Sequence, residues 1–322
     1  MRVTQRRSYQ IAALPVAIGL GVSLLFPPAA VAQSTTSAKP TSTSTSKSRS
    51  SNSSSSGSLG SSSLNGLTDY LDTNAVERTP IRVDERPQIN GLPDGVSVER
   101  VKWITDRRIE LQIKSKVMPK DVVKVQMLLA RDWHSQPNRK FPEVWALDGL
   151  RATDIESGWT SETNIEQLFA DKNVNVILPV GGESSFYSDW QSEDNGKHYM
   201  WESFLLNELI PVLKNGYRAN GDRAIFGLSM GGTAAMNLAE RNPDLFKFVG
   251  SFSGYLDTTS PGMPDAIRTA QQDAGGYHSE AMWGPDGSQQ WIDHDPKLGI
   301  KALKGMKVYV SAGSGRDDFG QP

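Results

Sequence analysis

The sequence predicts an α/β fold in which a mostly parallel central sheet is covered by helices on both faces. Three observations carry this. From about residue 91 onward, short apolar runs closed by glycine, proline or aspartate alternate with stretches of helical period. The earliest runs read as strands with alternating faces, as in an antiparallel start to a sheet. One later strand runs straight into a glycine-rich turn and a helix that opens with small residues.

The chain opens with Arg2, Arg6 and Arg7, followed by an apolar stretch from Ile11 to Phe26 and the small-residue site Ala30-Val31-Ala32. This is the pattern of an export signal, with cleavage expected after Ala32 and a secreted, cell-envelope product. The stretch is short for a membrane span of about 20 residues. Residues 33–63 are almost entirely Ser, Thr, Lys, Gly and Asn. Such a segment cannot bury enough apolar surface to offset its ordering entropy, and it is expected to act as a disordered linker. Residues 64–90 form a lead-in, and the folded domain is expected to occupy 91–322, opening at the turn Gly91-Leu92-Pro93-Asp94-Gly95.

Within that domain the expected strands are Val96–Trp103, Arg108–Ile113, Val122–Leu129, Val144–Leu147, Val174–Val180, Ala224–Phe226, Phe248–Ser253 and Val308–Ser311. Apolar residues at helical spacing, among them Leu205, Leu209 and Val212, predict a helix over Trp201–Leu213 that Pro211 kinks or whose last turns it marks. A second helix is expected over Thr233–Glu240. The segment Thr258–Gly284 is rich in Gly, Pro and Ala; it reads equally as a mobile flap or as an ordinary surface excursion.

Composition narrows the function. The 322 residues carry 34 basic and 36 acidic side chains, a net charge of −2, so nothing asks for a nucleic-acid partner. There are no cysteines, which excludes disulfides, thiolate metal sites and a cysteine nucleophile. The four histidines fit no metal-binding spacing, and neither metal nor cofactor is expected.

The residues that carry chemistry are Gly227-Leu228-Ser229-Met230-Gly231, a G-x-S-x-G sequence between the strand Ala224–Phe226 and a helix opening Gly232-Thr233-Ala234. Flanking glycines permit the tight strand-to-helix turn that exposes a serine Oγ, and the helix N-terminus favours developing negative charge. Ser229 is the expected nucleophile. The N–H of Met230 is one oxyanion donor. The second is expected from a loop after an earlier strand, best matched by Leu147-Asp148-Gly149-Leu150-Arg151, which on pattern alone also reads as an ordinary Asp-Gly turn.

These stretches, together with Pro179-Val180-Gly181-Gly182, Ser184-Ser185-Phe186-Tyr187-Ser188-Asp189-Trp190, Trp201-Glu202-Ser203-Phe204-Leu205, Met282-Trp283-Gly284 and His294-Asp295-Pro296, resemble in order the mycolyltransferases of the antigen 85 family. The resemblance implies an α/β-hydrolase fold and acyl transfer between trehalose lipids and to cell-wall arabinogalactan, with no cofactor. It implies Ser229 as nucleophile, Leu150 and Met230 as oxyanion donors, and Asp148 and Arg151 as sugar-binding residues. Asp257 is a weaker sugar-side expectation beside a turn-capping role.

The chain departs from the family twice. Mycobacterial members have a cysteine pair after Ser-Asp-Trp, whereas Gln191–His198 has none. The family's acid and its His-Ser-Trp histidine match no residue here. Asp317 and Asp318 follow the last strand, but Asp318-Phe319-Gly320 matches a position that is not the family's acid. His278 and His294 precede any place for the acid, against the Ser–acid–His order. The domain is therefore expected to be C-terminally incomplete and of low activity. The alternatives are a carboxylesterase of the same fold and a non-catalytic glycan- or matrix-binding homologue.

Overall fold

The computed structural model describes residues 75–118 and 122–313. The signal-type segment, the linker, Asp317 and Asp318 lie outside the described residues. Among the described residues nine strands form one sheet: β1 (Arg82–Glu85), β2 (Ser97–Trp103), β3 (Arg108–Lys114), β4 (Val122–Leu128), β5 (Phe141–Leu147), β6 (Asn175–Val180), β7 (Ala219–Leu228), β8 (Phe248–Phe252) and β9 (Lys307–Ser311). Their spatial order is β1-β2-β3-β4-β6-β5-β7-β8-β9. Pairing is antiparallel from β1 through β4 to β6, then parallel from β6 to β9. The crossover between β6 and β7, by way of β5, puts the carboxyl ends of β5 and β7 side by side at the middle of the sheet. Open α/β sheets bind ligands at such ends.

Both faces are covered. Successive side chains on β5 go to opposite sides: Trp145 and Leu147 join the larger core, Ala146 the smaller one. The short helices α1 (Gly158–Ser161) and α2 (Ile165–Phe169) bring Trp159 and Ile165 to the smaller core. The larger core receives α5 (Met230–Arg241), on which Met230, Ala234, Ala235, Leu238 and Ala239 are buried.

The helix expected over Trp201–Leu213 is one continuous element with an irregular middle. It begins as α3 (Trp201–Ser203), passes through a π-helical stretch at Phe204–Leu209 and ends as α4 (Ile210–Gly216). Pro211 has no N–H to give, so the widened turn just before it absorbs the missing bond. Glu208 of that stretch is buried and accepts from Ser115 Oγ at 2.5 Å and from the N–H groups of Lys116 and Val117, each at 3.1 Å.

Thr258–Gly284 contains α6 (Met263–Gly275) and α7 (Ser279–Trp283). Ile267, Gln271, Met282 and Trp283 are fully buried, so the segment packs into the main core. Two short helices follow, α8 (Gln289–Asp293) and α9 (Pro296–Gly299). The loop after Trp190 holds its shape without a disulfide. Asp194 and Lys197 exchange backbone bonds, Asn195 donates to the carbonyl of Gly275, and Trp190 packs edge-on against Tyr199 and Tyr277.

Candidate active site

β7 runs without a break into Ser229, which caps α5 with φ 54° and ψ −120°. A positive φ is uncommon for a residue with a Cβ and marks strain held by its surroundings. Three bonds hold it here: Ser229 N–H donates to Phe252 O at 2.7 Å, and the Ser229 carbonyl accepts from Gly232 and Thr233 at 2.8 and 3.1 Å. The turn is possible because two glycines stand back to back. A Cβ on Gly227 would meet Gly231 O at 2.1 Å, and one on Gly231 would meet the carbonyls of Asp148 and Leu147 at 2.4 and 2.5 Å.

Close approach at Gly231 brings the loop after β5 onto the elbow. A Cβ built on Gly149 would lie 3.8 Å from Ser229 Cβ. Met230 is the first residue of α5, so its N–H has no acceptor within the helix. Leu150 accepts at its carbonyl from Ser184 N–H at 2.9 Å. The expected nucleophile and the two expected oxyanion residues are thus assembled at one place.

Asp148 is buried beside them. Its Oδ1 accepts from Ser157 Oγ at 3.1 Å, while Oδ2 has no hydrogen-bond partner among the described residues. Burial pushes its carboxyl up to about 7, against the pull of the Ser157 hydroxyl and the N–H groups of Gly158 and Trp159. Arg151 is half-exposed and forms no ion pair among the described residues. Asp257 is tied into a turn: it accepts from Ser260 N–H at 3.0 Å, from Ser260 Oγ at 2.7 Å and from Lys297 Nζ at 2.7 Å. Those donors, Lys297 first, hold its carboxyl down at about 2. This is the turn-capping role.

None of the four imidazoles bonds to Ser229 among the described residues. His278 is exposed and bound to Asp194, His198 faces Trp190 O, and His134 faces Asp106 O. His294 is buried, stacked on Trp283 with ring centroids 5.0 Å apart, and its Nδ1 is bonded to Gln290 O. Its Nε2 faces Glu202, which pairs with Arg241 at the far end of α5. Twelve helical residues put about 18 Å between that end and Ser229. Desolvation lowers the His294 pKa.

Sequence reasoning missed Ser157 and Tyr187, which bond to Asp148 in the loop after β5, and Gln271, which holds Ser184 behind it. Tyr187 belonged to the most distinctive run in the sequence, which is the signal that pointed at it; Ser157 and Gln271 carried none.

A family model described as putative esterase matches residues 115–322. The diacylglycerol acyltransferase/mycolyltransferase Ag85B of Mycobacterium avium is 40% identical over 238 residues, 71% of this chain and 69% of that protein. Ag85A of Mycobacterium leprae is 38% identical over 214 residues, 64% of this chain and 62% of that protein, and Ag85B of Mycobacterium intracellulare is 42% identical over 182 residues, 54% and 55%. The chain therefore spans between 55% and 69% of the length of these relatives. Among solved structures, Mycobacterium tuberculosis MPT51 superposes with a TM-score of 0.55 at 31% identity, over 62% of this chain and 71% of that one. A Staphylococcus aureus fluorophosphonate-binding serine hydrolase, FphF, superposes at 0.52 with 17% identity over 63% and 77%, a likeness of fold alone.

Proposed function

The chain belongs to the antigen 85 family of acyltransferases among the putative esterases, and from that premise we propose that it transfers mycolic-type acyl groups through an acyl-Ser229 intermediate. The donor is a trehalose mycolate-type glycolipid, and the acceptor is a second trehalose or cell-wall arabinogalactan. The observation that carries this reading is Ser229 at its strained positive φ, with Gly149 of the loop after β5 packed against it.

In the proposed reaction Ser229 Oγ attacks the ester carbonyl of the donor. The carbonyl oxygen becomes an oxyanion between the N–H groups of Leu150 and Met230. The tetrahedral adduct collapses, the carbon–oxygen bond to the sugar breaks, and the leaving alcohol takes the proton that came from Oγ. The acceptor hydroxyl then repeats the sequence in reverse. A general base carries that proton, and no imidazole among the described residues is bonded to Ser229 for the task. Asp148 and Arg151 grip sugar hydroxyls: a carboxylate accepts and a guanidinium donates several bonds in fixed directions. The reading implies export and work at the cell envelope, and it needs neither cofactor nor metal.

The direct test is labelling of the purified chain with a fluorescent alkylphosphonate ester, followed by peptide mapping. The label is expected on Ser229 and is expected to vanish in Ser229→Ala. Equal labelling of the two proteins would remove Ser229 from the chemistry. Trehalose binding without labelling would favour the glycan-binding reading.

A further inference from the structure

The run Ser184–Ser188 follows β6 and is buried throughout, with each residue at most 2% exposed. Ser184, Phe186 and Tyr187 have φ of 58°, 50° and 48°. Two aromatic residues in the left-handed region are outliers that persist only where the surroundings over-determine them. Those surroundings are rigid. Trp190 Nε1 donates to Ser185 O at 3.2 Å, Trp283 Nε1 to Ser188 Oγ at 3.1 Å, and the fully buried Gln271 of α6 donates from Nε2 to Ser184 O at 2.8 Å. The Tyr187 ring packs edge-on against Trp201, with centroids 5.4 Å apart.

From this fixed base the run reaches the elbow and its loop at three points. Ser184 N–H donates to Leu150 O at 2.9 Å. The Tyr187 hydroxyl accepts from Asp148 N–H at 3.1 Å. Phe186 N–H faces Met230 Sδ at 3.2 Å. The peptide that carries Leu150 N–H therefore lies between two tied points, the Asp148 amide and the Leu150 carbonyl. Burial, with the neighbouring Asp148 carboxyl adding to it, pushes the Tyr187 phenol well above its ordinary value, so its oxygen is a neutral acceptor.

We infer that Tyr187 is a positioning residue: its hydroxyl ties the Asp148 amide so that Leu150 N–H stays aimed at the oxygen above Ser229. The inference rests on the reading of Leu150 as an oxyanion donor. Preorganised donors lose their effect when misplaced, because they act on charge that appears only in the transition state. A phenylalanine keeps the ring and its packing but leaves the Asp148 N–H buried without a partner.

The test compares the parent chain with Tyr187→Phe by two readouts. One is the kinetics of Ser229 labelling by a p-nitrophenyl alkylphosphonate, resolved into a limiting rate and a half-saturating concentration. The other is amide hydrogen exchange, followed by mass spectrometry. The limiting rate is expected to fall at least about tenfold, a fraction of the roughly 10² to 10³ that a whole oxyanion donor contributes, with the half-saturating concentration unchanged. Exchange is expected to rise about tenfold in peptides covering residues 147–152 and to stay at the parental rate in β3. Parental values in both readouts would overturn the inference. So would faster exchange everywhere, which would mark Tyr187 as a packing residue. If the parent itself takes no label, the acyl-Ser229 reading fails separately. The exchange comparison alone then decides the tie: a rise confined to 147–152 supports it, and none rejects it.

Discussion

The hydroxyl of Ser157 donates to Oδ1 of Asp148, nine positions earlier, at 3.1 Å, within the connection between β5 and the first helical turn after it. Ser157 is also the N-cap of α1 and accepts there from Trp159 N–H. One side chain thus starts a helix and fixes a buried carboxyl whose other oxygen has no partner among the described residues. Burial pushes this carboxyl up to about 7, so near neutral pH its free oxygen can either accept a hydrogen bond or donate one.

The first prediction follows from the raised pKa of Asp148. Its folded value of about 7 lies above the ordinary value near 4. Between those pH values the folded state binds more protons than the unfolded state. The contribution of Asp148 to stability is therefore complete below about pH 4 and is lost as pH rises through about 7. Asp148→Asn does not titrate. Measured by urea unfolding from pH 4 to pH 8, the variant should gain on the parent with rising pH, by up to about 4 kcal/mol across the window. Glu240, raised to about 8 by burial and then by Asp295, is present in both proteins and cancels. A difference that does not change with pH would contradict the assignment.

The second concerns the elbow. A Cβ on Gly231 would fall 2.4 Å from Asp148 O and 2.5 Å from Leu147 O, both backbone atoms that cannot swing aside. Gly231→Ala should cost about 1 to 3 kcal/mol as an overpacked site. It should also slow phosphonate labelling of Ser229, because the relief available is to push the loop after β5, with the proposed oxyanion donor Leu150, away. Gly149→Ala is the control for stability, since its Cβ would meet Leu228 O and Ser229 Cβ only at ordinary contact distance. Equal unfolding midpoints for the two variants would show that the elbow has more room than its backbone implies.

The third concerns the ion cluster behind that loop. Glu156 is 1% exposed and accepts from Arg78 at 3.1 and 3.3 Å and from Arg108, itself 6% exposed. Desolvation raises the Glu156 pKa, but the two guanidinium groups outweigh it and hold the carboxyl below its ordinary value. Glu156→Gln would leave Arg108 only the partly exposed Glu166, 3.7 Å away, as a charge partner and should cost up to about 3 kcal/mol. Arg78 is 40% exposed, and Arg78→Ala should cost no more than about 1 kcal/mol. Similar losses for the two would mean that the partners share the burden equally.

Much of this architecture was legible in the sequence because burial on both faces leaves strong marks. Asn175–Val180 and Phe248–Phe252 read as apolar runs, and Gly227 and Gly231 around Ser229 announced a turn that only small residues fit. β1 was not legible. Arg82-Val83-Asp84-Glu85 is a polar edge strand, mostly exposed, and its place depends on pairing with β2. The π-helical stretch was read only as a proline kink or a helix's last turns, because a widened turn has no composition of its own. At the site, the nucleophile and loop were readable from local pattern. Their supports were not: Tyr187 reaches the loop from 39 positions away and Gln271 holds Ser184 from 87 positions away, Ser157 has no pattern of its own, and nothing in an L-residue aromatic pair foretells a positive φ.

The last prediction separates gripping the sugar from attacking the ester. Arg151 follows Leu150 directly, is half-exposed, and has no ion pair among the described residues to hold its guanidinium down. A guanidinium next to the proposed oxyanion donor offers a planar set of donors in fixed directions, which suits the hydroxyls of a disaccharide better than a bare carbonyl. Arg151→Ala should therefore lower acyl transfer to trehalose by at least about tenfold, the loss of one or more charge-assisted hydrogen bonds. Hydrolysis of a small p-nitrophenyl ester, which presents no sugar, should stay within about twofold of the parent. Arg151→Lys, which keeps the charge but not the fork, should fall between the two in transfer. Parallel losses of transfer and hydrolysis in Arg151→Ala would place the side chain at the reacting carbonyl and take it out of the sugar site.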